Sequence, residues 1–292
     1  MPTPPVLLDL TENESLDPIS HAGDVRFRGT IRAGRVVEIG GCLTVDGDLE
    51  ASRYFVAGTL TVIGTARGGK ACTVGGEMRC RAIVDTTVVV RGDVKVRDRI
   101  ASSRVTCAGR VNMPDGEIVA SDVSANGGVE CRAIGDDHGT PTDIEAGVGR
   151  PLTLLEAAIT RQVDERRQRE DVLRASIEPL MANMKALTPA QREKATEMLY
   201  QADAMSDETT KLIAAFERRR RRTIEQARPR IAVTTRVHPG VVVRFDGTAF
   251  ATSSVICGPI ALTCRKSEGA TEIVAIPTDG GAVEILTARA AA

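Results

Sequence analysis

Few residues of this chain combine the types and spacing of a reactive site. Residues 64–70 fit the GxxxxGK pattern, in which a glycine-rich loop cradles phosphates with its backbone amides. That motif needs a Ser or Thr hydroxyl after the lysine to reach Mg²⁺, but Ala71 stands there. It also needs a helix next, whereas a strand pattern runs through the segment. We therefore interpret the segment as a corner loop and predict no cofactor.

The three histidines give little support for catalysis or metal binding. His21, His138 and His238 lie at or beyond the edges of the repeat described below. We interpret His21 and His238 as turn residues. His138 follows two aspartates, and we interpret it as a hydrogen-bonded loop residue or, less favoured, as a metal ligand. The sequence therefore predicts no catalytic residue and no metal site.

The seven cysteines lack the spacing of a disulfide or zinc framework. There is no CxxC pair, and Cys257 and Cys264 lie seven residues apart. Four others fall on inward positions of the repeat, none opposite another cysteine on a neighbouring turn: Cys72, Cys80, Cys107 and Cys131. We predict that these four are small core residues of a protein in the reducing cytoplasm.

One run of charge stands out as a candidate docking patch, formed by Arg218, Arg219, Arg220, Arg221 and Arg222. Five consecutive residues cover all sides of a helix, so some of them must face a neighbouring helix, where three acids can pair with them: Glu156, Asp164 and Glu165. The favoured interpretation is a solvated helix with cross-arm ion pairs, ahead of a docking patch for an acidic protein. Nucleic acid comes last, because no aromatic residues interleave and the net charge is −1.

The elements that must position these residues follow from a repeat of 16 to 18 residues. Its glycine anchors are Gly23, Gly41, Gly58, Gly76, Gly92, Gly109 and Gly127. Two residues after each anchor stands an apolar residue: Val25, Leu43, Leu60, Met78, Val94, Val111 or Val129. Period-2 alternation inside each unit indicates a strand, and the steady spacing indicates that like residues stack on like. The sequence predicts a mainly β protein with a parallel β-solenoid of about seven turns over residues 19–150.

The glycines are interpreted as corners of the solenoid, where a residue without Cβ adopts positive φ at little cost. The clearest corners are the pairs Gly40-Gly41, Gly68-Gly69, Gly75-Gly76 and Gly127-Gly128. Small and branched residues occupy the inward positions. A narrow lumen therefore explains why aromatic residues are only 2% of the chain and why Trp is absent.

Residues 151–229 follow a different pattern, with almost no glycine and with apolar residues at three- and four-residue spacing. Thr188, Pro189 and Gln191 supply a helix cap, a first-turn proline and a capping-box partner. We predict an antiparallel α-helical hairpin, a coiled coil that protrudes from the solenoid and is kinked at Pro179. Strand patterns resume over 230–286 and continue or cap the solenoid. Residues 1–18 and 287–292 have no clear period and are predicted to be tails.

The order of these elements resembles the flagellar assembly protein A (FapA) family, over about residues 19 to 250. The matching pieces are Gly92-Asp93-Val94, Ile134-Gly135, Gly139-Thr140-Pro141-Thr142-Asp143-Ile144 and His238-Pro239-Gly240-Val241. The resemblance implies a right-handed coil, roles in flagellar assembly and polar positioning of partner proteins, and no enzymatic activity. Members usually carry a separate N-terminal domain, which we expect this chain to lack.

The predicted function is therefore that of a non-enzymatic scaffold or adaptor whose hairpin binds a protein partner. It forms homo-oligomers, if any, through the solenoid ends or the hairpin, and it does not insert into membranes. A bactofilin-like self-assembling protein is the alternative. A hexapeptide-type acyltransferase is less favoured. Seven residues do fall six apart, namely Leu60, Ala66, Cys72, Met78, Val84, Val90 and Val96, but such enzymes need a general-base histidine on the coil.

Overall fold

The structure, a computed structural model, describes residues 8–11, 18–147, 150–182, 188–226, 229–245, 247–267, 270–278 and 283–286. The chain forms two compact units. One comprises Met1–Pro151 and Ala227–Ala292 and is built from β-strands. The other comprises Leu152–Gln226 and is built from two helices.

The β unit contains two long sheets whose strands alternate along the chain. Parallel strands of the first sheet are, in order, β1 (Leu8–Thr11), β3 (Val25–Arg28), β5 (Leu43–Val45), β7 (Leu60–Val62), β10 (Met78–Val84), β12 (Val94–Ala101), β14 (Val111–Val119), β16 (Val129–Ile134) and β18 (Arg230–Val237), with β8 (Thr65–Arg67) also pairing to β10. Those of the second are β2 (Ile19–His21), β4 (Val36–Ile39), β6 (Arg53–Val56), β9 (Ala71–Val74), β11 (Thr87–Val90), β13 (Arg104–Cys107), β15 (Asp122–Ala125), β17 (Thr142–Ala146) and β19 (Val241–Phe245). This arrangement confirms the predicted parallel β-solenoid.

The predicted stacking of like residues is confirmed position by position. In the first sheet, Leu43 pairs with Leu60, Met78 with Val94, and Val94 with Val111. The equivalent column of the second sheet is Ile39, Val56, Val74, Val90, Cys107 and Ala125. These side chains are buried in one continuous core. Each buried Val or Leu contributes about 1.5–3 kcal/mol of transfer free energy, so the repeated columns provide the main stabilisation of the stack.

The anchor glycines play a different part from the one predicted. Positive φ occurs at Gly68 and Gly128, but not at the stacked anchors from Gly41 to Gly127. Instead, from Gly58 onward each anchor amide donates to the carbonyl of the anchor one turn earlier, for example Gly92 N to Gly76 O at 3.0 Å. A Cβ on Gly92 would stand 2.7 Å from that oxygen. Close approach of successive turns, rather than an unusual conformation, excludes a side chain there.

Another corner adopts positive φ without glycine. Asp85, Ser102 and Ala120 have φ of 49°, 50° and 51° at equivalent places in three successive turns. A buried hydroxyl residue follows each of them: Thr86, Ser103 and Ser121. The Ser103 hydroxyl accepts a hydrogen bond from the Thr86 amide, and the Ser121 hydroxyl accepts one from the Ser103 amide, both at 3.1 Å. This hydroxyl column satisfies backbone donors that the corner would otherwise leave buried and unpaired.

After the helical unit the chain resumes the stack in register. Ile231 pairs with Val129, and Val241 pairs with Thr142, both in parallel. Antiparallel strands then cap this end: β20 (Thr248–Ala251), β21 (Ile256–Cys257), β22 (Ile260–Ser267), β23 (Ala270–Pro277) and β24 (Glu284–Leu286). At the opposite end, β1 adds a strand within the segment predicted as an N-terminal tail, with Leu8 in register with Val25. The predicted tail at 287–292 lies outside the described residues.

Candidate interaction surfaces

The helical unit consists of α1 (Arg150–Ala182) and α2 (Pro189–Gln226). The predicted capping box is present at the start of α2. The Thr188 amide donates to Gln191 Oε1 at 2.9 Å, and the Gln191 amide donates to the Thr188 hydroxyl at 3.4 Å. Pro189 is the first helical residue, where its missing N–H costs nothing. The residues at the start of α2 therefore determine where this helix begins.

The two helices pack as an antiparallel coiled coil. Ion pairs join Arg166 to Glu208 at 3.6 Å and Arg174 to Asp203 at 3.0 Å, so residue numbers rise along one arm as they fall along the other. Among the α2 side chains that the structure describes, the buried ones are spaced by seven: Ala195, Ala202 and Thr209. In α1, Val163 and Ile177 are buried and lie two heptads apart. This seam of small and branched residues is the coiled-coil core.

The arginine run was predicted to face the acids at the start of α1. Arg218 is exposed, whereas the side chains of residues 219–222 and of Glu156 lie outside those that the structure describes. Glu165 accepts a hydrogen bond from Arg161 of its own helix at 3.2 Å. Nothing here tests the docking patch, which stays a prediction.

Among the described side chains of the hairpin, two large apolar ones are exposed. Tyr200 of α2 is 72% exposed and Val172 of α1 is 71% exposed. At 100° per residue, each lies on the side of its helix opposite the buried seam. A hollow beside Tyr200 is lined by Glu193, Thr196, Glu197, Gln201 and Ala204. Each outer face of the hairpin therefore exposes one large apolar side chain among polar ones.

The phosphate-loop pattern at 64–70 is a corner of the solenoid. Strand β8 ends at Arg67, Gly68 turns with φ of 78°, and β9 begins at Ala71. A strand rather than a helix follows this corner, so the segment lacks the strand–loop–helix arrangement of a phosphate loop.

The interpretation of His21 as a turn residue is wrong, because His21 is the last residue of strand β2 and pairs with Ile39 of β4. His138 lies in a loop in which its amide donates to Asp136 Oδ1 at 3.1 Å. Hydrogen bonds from the hydroxyl and amide of Thr140 lower the pKa of Asp136. His238 is buried between β18 and β19, with Nδ1 3.3 Å from Asp137 Oδ1. Within the described part of the chain, no group of three or more His, Cys, Asp or Glu side chains is arranged to hold a metal ion.

Buried thiols have the properties of core residues. Burial raises the pKa of Cys80 and of Cys107 to about 12. Both stay protonated near neutral pH, and a thiol in that state is a poor nucleophile. Packing in the lumen, rather than chemical reactivity, therefore explains why cysteines occupy these positions.

The outer face of the first sheet carries ion pairs that join one turn to the next. Arg81 contacts Asp98 at 2.7 Å, and Arg99 contacts Glu117 at 2.6 Å. Glu77 accepts from Arg79 at 2.9 Å and from Lys95 at 2.7 Å. Hydrogen bonds from these two cations lower the pKa of Glu77 to about 2. Here the charges pair with one another, which leaves no single-signed patch among these residues.

Comparison with known proteins decides the family. Residues 18–269 match the family model described as the Flagellar Assembly Protein A beta solenoid domain. The chain belongs to the FapA family. This confirms the resemblance found in the sequence, and the FapA match spans the hairpin as well as the solenoid. No curated protein and no solved structure matches the chain. Among the described residues of this FapA protein, neither helix is apolar and long enough to cross a lipid bilayer.

Proposed function

We propose that this protein is a non-enzymatic FapA-type scaffold, in which the β-solenoid is a rigid body and the helical hairpin is the arm that binds a protein partner. The insertion of the hairpin is the main observation in support. Strand β18 stacks directly on β16, and β19 on β17, as if the intervening residues were absent. The stack does not need a coiled coil for its register, so the hairpin has a role of its own.

The cellular process rests on the family alone. The name of the matched domain refers to flagellar assembly, and we extend that role to this chain as part of the proposal. A cytoplasmic location belongs to the same proposal. The thiols of Cys80 and Cys107, kept protonated by burial, and His138, whose amide bonds to Asp136 in a loop, give no support to a catalytic alternative.

The bactofilin-like alternative requires solenoids to stack end to end. Antiparallel strands β20 to β24 follow the last parallel strands, so this end does not offer another parallel turn. Edges blunted in this way disfavour continued strand addition. We therefore place self-assembly into filaments second.

The test is a quantitative pull-down from native lysate with three baits. They are the full chain, a variant with residues 152–226 replaced by a short Gly-Ser linker, and a control in which an unrelated antiparallel coiled coil replaces the same residues. Partners held only by the full chain support the proposal. Capture of the same partners by all three would contradict a binding role for the hairpin.

A further inference from the structure

The side of α2 opposite its buried seam carries an ordered series of exposed residues. They recur at spacings of three and four, which keeps them on one face, and we call them the outer stripe: Glu197, Tyr200, Ala204, Asp207, Lys211, Ala214 and Arg218. Every member of the outer stripe is exposed. Its charges are negative before residue 209 and positive after it.

The outer stripe is complementary to itself when it is reversed about residue 209. Asp207 and Lys211 are equally far from that centre, as are Ala204 and Ala214. Tyr200 and Arg218 form the next such pair. We propose that the outer stripe of α2 binds the outer stripe of a second copy of this chain, antiparallel and about a twofold axis at residue 209.

Each contact in this arrangement has a physical basis. Asp207 meets Lys211 of the second copy as an ion pair, and the twofold axis makes the contact twice. Tyr200 stacks against the guanidinium of Arg218, a cation–π contact that covers the exposed ring. Ala204 faces Ala214, and two small side chains at the same level allow the helices to approach closely.

The same groups are not used within one molecule. Tyr200 and Arg218 are 18 residues apart on one helix, which separates them by about 27 Å along its axis. Asp207 and Lys211 form no ion pair with any residue that the structure describes. The stripe from 197 to 218 holds two acids and two bases, so two copies attract through pairing rather than through opposite net charge.

The sequence limits the length of the favourable contact. One step outward, the register places Glu197 opposite residue 221, which is an arginine. A further step places Glu193 opposite residue 225, which is also glutamate. Complementarity therefore runs from 197 to 221 and ends there, about 36 Å along the helix.

This inference rests on the proposed role of the hairpin as an interaction arm, and it names a second copy of the chain as one occupant of that arm. The outer face of α1, which carries Val172, is not used and stays open to another protein. A dimer with twofold symmetry is closed, so it does not lead to filaments.

The test uses the full chain and two charge-reversal variants, Asp207→Lys and Lys211→Asp, in sedimentation equilibrium at low and high salt. The unchanged chain should dimerise, and more weakly at high salt because the pairs are exposed. Each variant alone places like charges opposite each other twice, and its dimer should be weaker by roughly tenfold or more. An equimolar mixture of the two variants should recover the dimer, because lysine again faces aspartate.

Matched controls lie on α1, where Arg167 and Asp171 have the same spacing, are exposed and form no ion pair with a described residue. Arg167→Asp and Asp171→Lys should leave the dimer unchanged. Circular dichroism checks that all variants keep their helices. A monomeric unchanged chain, single variants that dimerise normally, or a mixture that stays monomeric would each overturn the inference. None of these outcomes affects the pull-down result, which tests the hairpin's role separately.

Discussion

Neighbouring residues of a solenoid strand tolerate change very differently, because one faces the lumen and the next faces solvent. Val94 stacks between Met78 and Val111 and is fully buried. Val94→Asp should cost about 4 kcal/mol or more, because it buries a charge without a partner. Lys95 faces outward and contacts Glu77, so Lys95→Gln should cost about 1 kcal/mol at most. Urea denaturation measures both, and equal losses would contradict the register.

Tyr54 is a buried residue whose polar atom is poorly satisfied. It is 1% exposed, and among the described residues no nitrogen or oxygen atom pairs with its hydroxyl. Burial raises the pKa of Tyr54 well above its ordinary value, and the neighbouring Cys72 thiol adds to that rise. Tyr54→Phe should therefore leave stability unchanged or raise it by about 1 kcal/mol. Tyr54→Ala should lose about 3–5 kcal/mol by opening a cavity. A loss on Tyr54→Phe in thermal unfolding would show that the hydroxyl is satisfied.

Glu77 makes the stability of the solenoid depend on pH. Its pKa is lowered to about 2 by hydrogen bonds from Arg79 and Lys95, so its contribution is complete above the unfolded-state pKa of about 4.3. That contribution is lost as pH falls from about 4.3 towards 2. Glu77→Gln should reduce stability at pH 7 by about 1 kcal/mol after allowance for solvent screening, and by only a small part of that at pH 2, where the carboxyl is largely protonated in the unfolded chain and about half protonated in the folded one. Urea midpoints of the unchanged chain and of the variant at both pH values test this, and an equal loss at the two pH values would contradict it.

The corner column of Asp85, Ser102 and Ala120 is an element that stores backbone strain. A non-glycine residue at positive φ costs about 1–2 kcal/mol, and glycine removes that cost at a smaller entropic loss. Ala120→Gly should therefore stabilise the protein by about 0.5–1 kcal/mol. Ala125→Gly, in the buried strand β15, should destabilise it. Calorimetry distinguishes the two, and a loss for both would mean that the Ala120 side chain contributes more than its strain costs.

The elements differ in how well the sequence predicts them. Alternation and a steady period place Leu43, Val94 and Ala125 in their columns, because each turn must bury its apolar side against the next. The sequence does not distinguish why glycine occupies the anchor positions, because close stacking of turns and positive φ both select glycine. The sequence does not predict the hydroxyl column either, because Ser and Thr at a corner are also common in ordinary loops. Strand β1 is missed because its four residues are too few to show a period.

The candidate surface depends on information that the sequence alone does not hold. An arginine run is conspicuous as a motif, yet residues 219–222 cannot be assigned to a face until the seam is known. Once Ala195, Ala202 and Thr209 fix the seam, the residues opposite it form a series with reversed charge order. A pattern spread over 22 residues at three- and four-residue spacing has no local signature, so it emerges only from the packed helix.

At the scale of the whole molecule, the two units should be thermodynamically separable. Replacing residues 152–226 with a short linker leaves the pairs β16–β18 and β17–β19 available, so the solenoid should unfold within a few degrees of its original temperature. Differential scanning calorimetry would measure this, with loss of the hairpin's own transition. A shortened chain that no longer unfolds cooperatively would show that the hairpin is part of the β core.

The stacked anchor glycines from Gly41 to Gly127 form a ladder of hydrogen bonds, and this ladder has a mechanical consequence. Its amide-to-carbonyl bonds run from each turn to the next, so tension applied to the two ends of the solenoid loads the turns in series. The weakest turn should yield first and release its 16 to 18 residues, which is about 55–65 Å of extended chain. Under force this protein should therefore unfold one turn at a time, in extension steps of similar size, rather than in a single event.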